Sequence, residues 1–329
     1  MPHVARMLTG TSNHRVLLPA TALAGGGGAL LCAWLSVVCG WGQIIPINAI
    51  TPIISVPVIV YVIVNRSYRP MLKIEGLTTG YGSRVLLRNV DASLERGELV
   101  ALIGANGVGK STLLKVLRGE LSPLEGLVDI DGRNIAGMSR MDLARNVSVV
   151  NTDRLEVGAL SVEDVVGMGR YPYTGFLGRL GREDRAVVAE AMEAVGVEGF
   201  ACRNVAELSD GERQKVMIAR ALAQDTPVVL LDEPTAFLDV ASRVEVLSLL
   251  RKLAKERSKG VLLSLHDVAS ALALSDRLWL MPGDCSLRCG APGDFLREHE
   301  EKRPGNALDA LFAGRKVRFD GHRMDYVGL

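Results

Sequence analysis

The sequence predicts two regions of different class: an α/β domain, preceded by an all-α hairpin of membrane type. Three observations carry this expectation. Residues 16–65 contain no charged side chain. Residues 71–329 have the mixed charge of an ordinary soluble domain. Within them an apolar run at 99–103 enters a glycine-rich loop, and the period then changes to helical at Leu113, Leu114, Val116 and Leu117. Strand, loop and helix in that order are the repeating unit of α/β folds.

Charge divides the chain at the same place. Residues 1–70 hold Arg6, Arg15, Arg66 and Arg69, with no Lys and no acid. The other 34 of the 38 basic residues stand against all 37 acids in residues 71–329, a formal charge of −3. That balance gives no electrostatic footprint for nucleic acid, which is not expected as a partner. Five Cys in so long a chain exclude a disulfide scaffold. Cys285 and Cys289 have no second ligand pair near them and read as reduced thiols.

The charge-free stretch is the first element. A bilayer core takes about 20 apolar residues per helix, so residues 16–65 hold enough for two spans and a turn. We expect helices at about 17–39 and 47–64, turning at Gly40-Trp41-Gly42-Gln43 with Trp41 at interface depth. A secretory signal peptide would be shorter and end in a small-residue cleavage site. Gly25 to Gly28 suit close helix approach, and Pro46, Pro52 and Pro57 need neighbours to satisfy freed carbonyls. Both features fit a larger bundle better than a lone anchor. Arginines on the outer flanks place both ends in the cytoplasm. The stretch Pro2-His3-Val4-Ala5-Arg6, Arg15-Val16-Leu17-Leu18-Pro19, Pro57 and Arg66 resembles the C-terminal end of permeases that import iron–siderophore, haem and cobalamin. The resemblance covers about residues 2–66 and implies only the last two helices of such a permease, too few to enclose a pathway.

The α/β region starts at Met71. Alternating apolar residues at 71–77 predict a half-buried strand, with a glycine turn at Gly80-Tyr81-Gly82. The buried strand 99–103 then meets Gly104-Ala105-Asn106-Gly107-Val108-Gly109-Lys110-Ser111, the G-x-x-x-x-G-K-S phosphate loop or Walker A. Its glycines turn backbone N–H groups toward phosphate oxygens, and the helix that follows adds its positive end. Lys110 is expected at the terminal phosphates, Ser111 on magnesium, and Thr112 in support of the loop.

Further motifs narrow the class. Leu208-Ser209-Asp210-Gly211-Glu212-Arg213-Gln214 opens a helix. Leu230-Leu231-Asp232-Glu233-Pro234 ends the apolar run 228–231. Phe237-Leu238-Asp239 follows, and His266 ends the strand 261–265. In this order and at these spacings they resemble the signature motif, Walker B, D-loop and switch histidine of ATP-binding cassette (ABC) ATPases. The resemblance covers about 71–285. It implies a P-loop cassette with a mixed sheet core and a helical lobe, here at about 151–225, followed by a C-terminal extension at 286–329. It further implies Asp232 on magnesium, Glu233 as general base toward water, and His266 at the γ-phosphate. Tyr81 matches the family's adenine-stacking aromatic, or is a turn tyrosine. Ser209 and Gly211 are implied to face ATP held by Lys110 of a second cassette, arranged head to tail.

Two departures stand out. The family has Gly where this chain has Asp210 and Gln where it has Glu212. Both carboxylates are expected to turn away from phosphate, toward Arg213. The family's glutamine after the next strand is also missing: Val147-Ser148-Val149-Val150 is followed by Asn151-Thr152-Asp153. Thr152 aligns best as a magnesium ligand but is too short, leaving Asn151 or a water as substitutes. Helices are expected at 162–168 and 184–195. Between them Gly169-Arg170-Tyr171-Pro172-Tyr173 resembles the family's permease-docking face, or is a solvated loop. Residues 317–327 suggest a terminal hairpin.

The expected function is ATP binding and hydrolysis energising import of an iron–siderophore, haem or cobalamin-type chelate. The cofactors are ATP and Mg2+, and the location is the inner (cell) membrane with a cytoplasmic ATPase domain. Expected partners are a second cassette copy, a permease, the membrane and, indirectly, a substrate-binding protein. A membrane-anchored ABC ATPase without a transport role is the alternative. The short junction Ser67-Tyr68-Arg69-Pro70 suggests a permease gene joined in frame to an ATPase gene. A short anchored ATPase and a gene-calling error are the other readings.

Overall fold

The structure, a computed structural model, describes residues 70–82, 84–151, 159–175, 178–236 and 238–296, with Leu308, Leu311 and two strands at 317–320 and 325–328. The hairpin expected at 17–39 and 47–64 lies outside the described residues, as do Thr152 and Phe237. Among the described residues no helix is long and apolar enough to cross a membrane. The chain divides at Arg69/Pro70, and the second unit is Pro70–Leu329.

This unit carries two main sheets. In chain order its strands are β1 (Leu72–Tyr81), β2 (Arg84–Leu94) and β3 (Leu99–Gly104), then helix α1 (Lys110–Leu117). Next come β4 (Glu125–Ile130), β5 (Arg133–Asn134), α2 (Arg140–Ala144) and β6 (Val147–Val150). Three helices follow: α3 (Val162–Gly167), α4 (Arg182–Val195) and α5 (Asp210–Ala223). The rest is β7 (Val228–Leu231), α6 (Val240–Glu256), β8 (Gly260–Leu265), α7 (Val268–Leu274), β9 (Arg277–Met281), β10 (Arg288–Gly290) and α8 (Pro292–Leu296), with tail strands β11 (Val317–Asp320) and β12 (Asp325–Gly328).

The smaller sheet is antiparallel, in the order β2-β1-β4-β5. Strand β1 runs further than expected, because Gly80 and Tyr81 pair with Val85 and Arg84. Gly80 and Tyr81 are therefore the end of a strand, while Gly82 stands in the turn as expected. The larger sheet has the order β10-β9-β3-β8-β7-β6, parallel from β9 to β6. Its central strands are buried on both faces, which is why 99–103 and 228–231 are continuous apolar runs. On β3 the period of two divides the side chains. Leu99, Ala101 and Ile103 join the core shared with α3–α6. Val100 and Leu102 join the core shared with α1 and the antiparallel sheet. Each of the larger ones, Leu99, Val100, Leu102 and Ile103, contributes about 1.5–3 kcal/mol when fully buried.

The helices α3, α4 and α5 form the lobe expected between 151 and 225. Their apolar faces, including Val165, Val188, Met192 and Val216, enter the first core. Helix α4 ends at Gly196, whose φ of 73° makes the left-handed cap that residues with a Cβ rarely adopt. Strand β10 pairs antiparallel with β9, and Phe295 is buried in the same core. The larger sheet thus continues past residue 285, where the sequence reading ended the cassette. The tail strands β11 and β12 pair antiparallel, the hairpin expected at 317–327.

Candidate nucleotide site

Parallel strands deliver their carboxyl ends to one edge of the sheet, where the loops between strand and helix meet. Here β3, β8 and β7 are adjacent. They bring the phosphate loop, His266 and the Asp232-Glu233 pair to one place.

The phosphate loop is shaped by backbone. Gly109 is the N-cap of α1 at φ 113°, a conformation closed to most side chains, and an added Cβ would stand 3.1 Å from the Cβ of Leu86. At Gly104 a Cβ would meet Val108 Cγ2 at 2.9 Å and Met281 O at 3.0 Å. No side chain caps α1, and its first turn has no acid. Its amides and its positive end are therefore arranged for an anion. The ammonium of Lys110 donates to Gly104 O at 2.8 Å and Ala105 O at 3.4 Å. Lys110 is only 6% exposed. Burial lowers its pKa, against the opposing pull of Glu233 and Asp232. A buried cation of this kind gains most from a phosphate.

A cleft of about 470 Å3 opens over the loop. Its floor is Asn106, Gly107, Gly109, Lys110, Ser111 and Thr112. Glu233, His266, Tyr81, Arg84 and Leu86 complete the lining. Tyr81 is half exposed in this lining. Gly104 and Ala105 sit behind the lining and hold Lys110 through their carbonyls, while Val108 packs against the second core.

Glu233 and His266 form a close pair, with Nε2 and Oε1 2.5 Å apart. Glu233 has φ 48°, a left-handed backbone unusual for a residue with a Cβ. Its amide N–H donates to Ser264 Oγ at 2.8 Å, and the Ser264 hydroxyl donates to Asp232 Oδ1 at 2.7 Å. Ser264, Arg84 and Leu86 were not singled out in the sequence. The signal for Ser264 was present: it is the polar residue inside an otherwise apolar strand, two positions before His266.

Asn151, one of the expected substitutes for the missing glutamine, is turned elsewhere. Its Oδ1 accepts from Arg118 at the C-terminal end of α1, at 2.8 Å. Thr152, the residue that aligns best with that glutamine, lies outside the described residues.

The signature segment is separate from this cleft. Ser209 caps α5. Its hydroxyl donates to Glu212 Oε2 at 2.7 Å, and the same carboxylate accepts the Ser209 backbone N–H at 2.9 Å. Arg213 pairs with Asp210 at 2.8 Å and donates to Leu208 O at 2.9 Å. Asp210 thus turns toward Arg213 as expected, whereas Glu212 folds back on Ser209 instead. Gly211 stands against α6, where an added Cβ would meet Ser242 Oγ at 3.2 Å.

In the 169–173 segment Arg170 is 9% exposed and pairs with Asp184 at 3.0 Å. Its guanidinium lies 4.0 Å from the Tyr173 ring centre, and Tyr171 faces solvent.

A phosphate loop, a carboxylate pair at a neighbouring strand end and a histidine against it define a P-loop nucleotide-binding domain with an added helical lobe. Residues 87–236 match the ABC transporter family and residues 1–65 match the FecCD transport family. The chain is 42% identical over 227 residues to an uncharacterized ABC transporter ATP-binding protein of Methanocaldococcus jannaschii, covering 69% of this chain and 78% of that one. It is 40% identical over 222 residues to the achromobactin transport ATP-binding protein of Dickeya dadantii, covering 68% and 82%. The dimeric structure of a bacterial ABC transporter cassette superposes with a TM-score of 0.58 at 28% identity, covering 68% of this chain and 99% of that one. The chain belongs to the ATP-binding proteins of ABC transporters, which are ATPases coupled to transport.

Proposed function

We propose that this chain binds ATP with Mg2+ and hydrolyses it to drive import of a metal chelate of the iron–siderophore, haem or cobalamin kind. The observation that carries the ATPase reading is the convergence of Lys110, Glu233 and His266 on one cleft beside the phosphate loop. The transport reading is supported by the permease-like match at 1–65 and by the achromobactin relative. Nothing in the comparisons favours the alternative without transport.

Phosphoryl transfer to water needs positioning and charge neutralisation more than covalent chemistry. The loop amides and Lys110 hold the phosphates. Ser111 and Asp232 offer hard oxygen donors of the type Mg2+ takes, and the ion would neutralise charge on the phosphate oxygens. Glu233 orients the attacking water and accepts its proton, and His266 fixes that carboxylate through their short hydrogen bond. Tyr81 stacks on the base. Ser209 and Gly211 lie off the cleft and act on ATP held by a second cassette. The exposed Tyr171 side of the helical lobe docks on a permease. The FecCD match at residues 1–65 supports a location at the inner membrane, with the ATPase domain cytoplasmic.

The test is uptake. The chain is expressed with a candidate permease and binding protein, and labelled ferric siderophore, haem and cobalamin are offered in turn. ATP-dependent accumulation of one chelate, lost in Glu233→Gln, is expected. ATP hydrolysis without accumulation of any chelate overturns the transport assignment.

A further inference from the structure

We propose that Ser264 is a positioning residue for ATP hydrolysis: one buried hydroxyl fixes both the Asp232 carboxylate and the Glu233 backbone. The inference rests on the roles given above to Asp232 and Glu233.

Strand β8 lies between β3 and β7 in the sheet. Its register pairs Leu102 with Ser264 on one side and Leu231 with Leu263 on the other. Alternation along β8 sends Val261, Leu263 and Leu265 into one core and Leu262 into the other. Ser264 therefore shares the face of Leu262 and Leu102, toward α1. It is fully buried, in a strand where every neighbour is apolar. An unsatisfied hydroxyl there would be destabilising, because nothing else could replace its lost hydrogen bonds to water.

Ser264 is satisfied by the two residues that follow β7. A hydroxyl has one donor hydrogen and two acceptor lone pairs. The hydrogen goes to Asp232 Oδ1 at 2.7 Å. A lone pair takes the Glu233 N–H at 2.8 Å. The first bond fixes the rotation of the Asp232 carboxylate, leaving its second oxygen to point independently of β8. The second bond holds Glu233 at φ 48°, a strained backbone state that persists only when neighbours impose it. With that backbone fixed, the Glu233 side chain reaches His266. Alanine here would lose the only polar group of β8 that ties the two acids together. Outer partners of metal-binding carboxylates typically contribute about 10–100-fold in metal affinity or activity.

The experiment compares wild type with Ser264→Ala, Ser264→Thr and Ser264→Cys in the full chain. Affinity for a fluorescent ATP analogue is measured with Mg2+ and with EDTA, alongside turnover and thermal stability. For Ser264→Ala we expect EDTA affinity within about twofold of wild type. Its enhancement by Mg2+ should fall about tenfold, and turnover about 10–100-fold. Ser264→Thr, which keeps the hydroxyl, should recover both. If the alanine variant does not fold, Ser264→Cys preserves volume with a much weaker hydrogen bond and should show the same loss. Unchanged Mg2+ enhancement and turnover in Ala or Cys overturn the proposal. So does a loss of stability with unchanged turnover per folded molecule, which would make Ser264 a packing residue only. Asp232→Asn is run in parallel: if it too keeps full Mg2+ enhancement, the metal role of Asp232 fails, rather than the role of Ser264.

Discussion

Helices α1 and α5 begin at the phosphate loop and at the signature motif, and they begin in opposite ways. Helix α1 has Gly109 as its N-cap, no side-chain cap and no acid in its first turn. Helix α5 has Ser209 as its N-cap, a reciprocal capping box with Glu212, and both Asp210 and Glu212 in its first turn. The physics of a helix start is the same in each: orphan amides and a positive dipole end. In α1 they are arranged for a ligand. In α5 much of that potential is met by the chain's own carboxylates, with Arg213 neutralising Asp210. The phosphate loop is thus open to an anion, whereas the start of α5 is already occupied by its own carboxylates; on the function proposed above, Glu212 would moderate its pull on the phosphate of a second cassette.

The largest effect should come at the carboxylate beside the phosphate loop. Glu233→Gln keeps the loop and Lys110 intact, so ATP binding should persist while turnover falls by about 10²–10⁴. Light scattering should then find an ATP-held cassette dimer. Turnover at the wild-type rate would remove Glu233 from the mechanism. Next is Lys110→Ala, which deletes the buried cation facing the phosphates. A charge-assisted hydrogen bond is worth about 1.5–3 kcal/mol, so calorimetry should show ATP affinity at least about tenfold weaker; unchanged affinity would contradict the phosphate-loop assignment.

A third variant acts on backbone alone. Gly109→Ala forces a Cβ into a φ of 113° and against Leu86. Such strain costs about 1–3 kcal/mol. Denaturant unfolding should detect it, with weaker ATP binding, and retention of both would show that the loop can relax.

The smallest effect sharpens the contrast between the two helix starts. Glu212→Gln restores a neutral acceptor at the α5 cap. ATP-induced dimerisation should tighten by a few fold, about 1 kcal/mol. No change at low salt would mean that Glu212 does not influence the facing phosphate. The same pair gives a pH signature. Hydrogen bonds from the Ser209 hydroxyl, and then from its backbone N–H, hold the Glu212 carboxyl below its ordinary value. The stabilisation is therefore present above the usual Glu pKa of about 4.3, and is lost as pH falls through the depressed one. Wild type should exceed Glu212→Gln in thermal stability at pH 7, and the gap should close below about pH 4.

Much of the site was legible because its parts are local. Gly104 to Ser111 follow one strand and start one helix, so a linear pattern carries the whole device. Asp232, Glu233 and His266 each end an apolar strand, and strand ends are visible as a change in hydropathy. The corners were less legible. Tyr81 was expected in a turn, but pairing with Arg84 makes it the end of β1. The cassette was expected to end at 285, but β10 adds to β9 through backbone hydrogen bonds that leave little trace in three residues. Asn151 was considered for magnesium, and its amide is instead committed to Arg118, 33 positions earlier.

The sequence by itself determined the α/β class, the phosphate loop, the order of the ATPase motifs and the charge-free stretch at 16–65. Each depends on residues adjacent in the chain or on a short period. Only the tertiary structure decided which strand lies between the phosphate loop and the acid pair. Strand order is set by long-range pairing and packing on two faces, and no local pattern encodes it. That order puts β8 between β3 and β7, and so makes a buried serine the bond between Asp232 and Glu233. The turn of Glu212 onto Ser209 is, by contrast, local: Ser209 and Glu212 stand three residues apart and form the reciprocal capping box of α5.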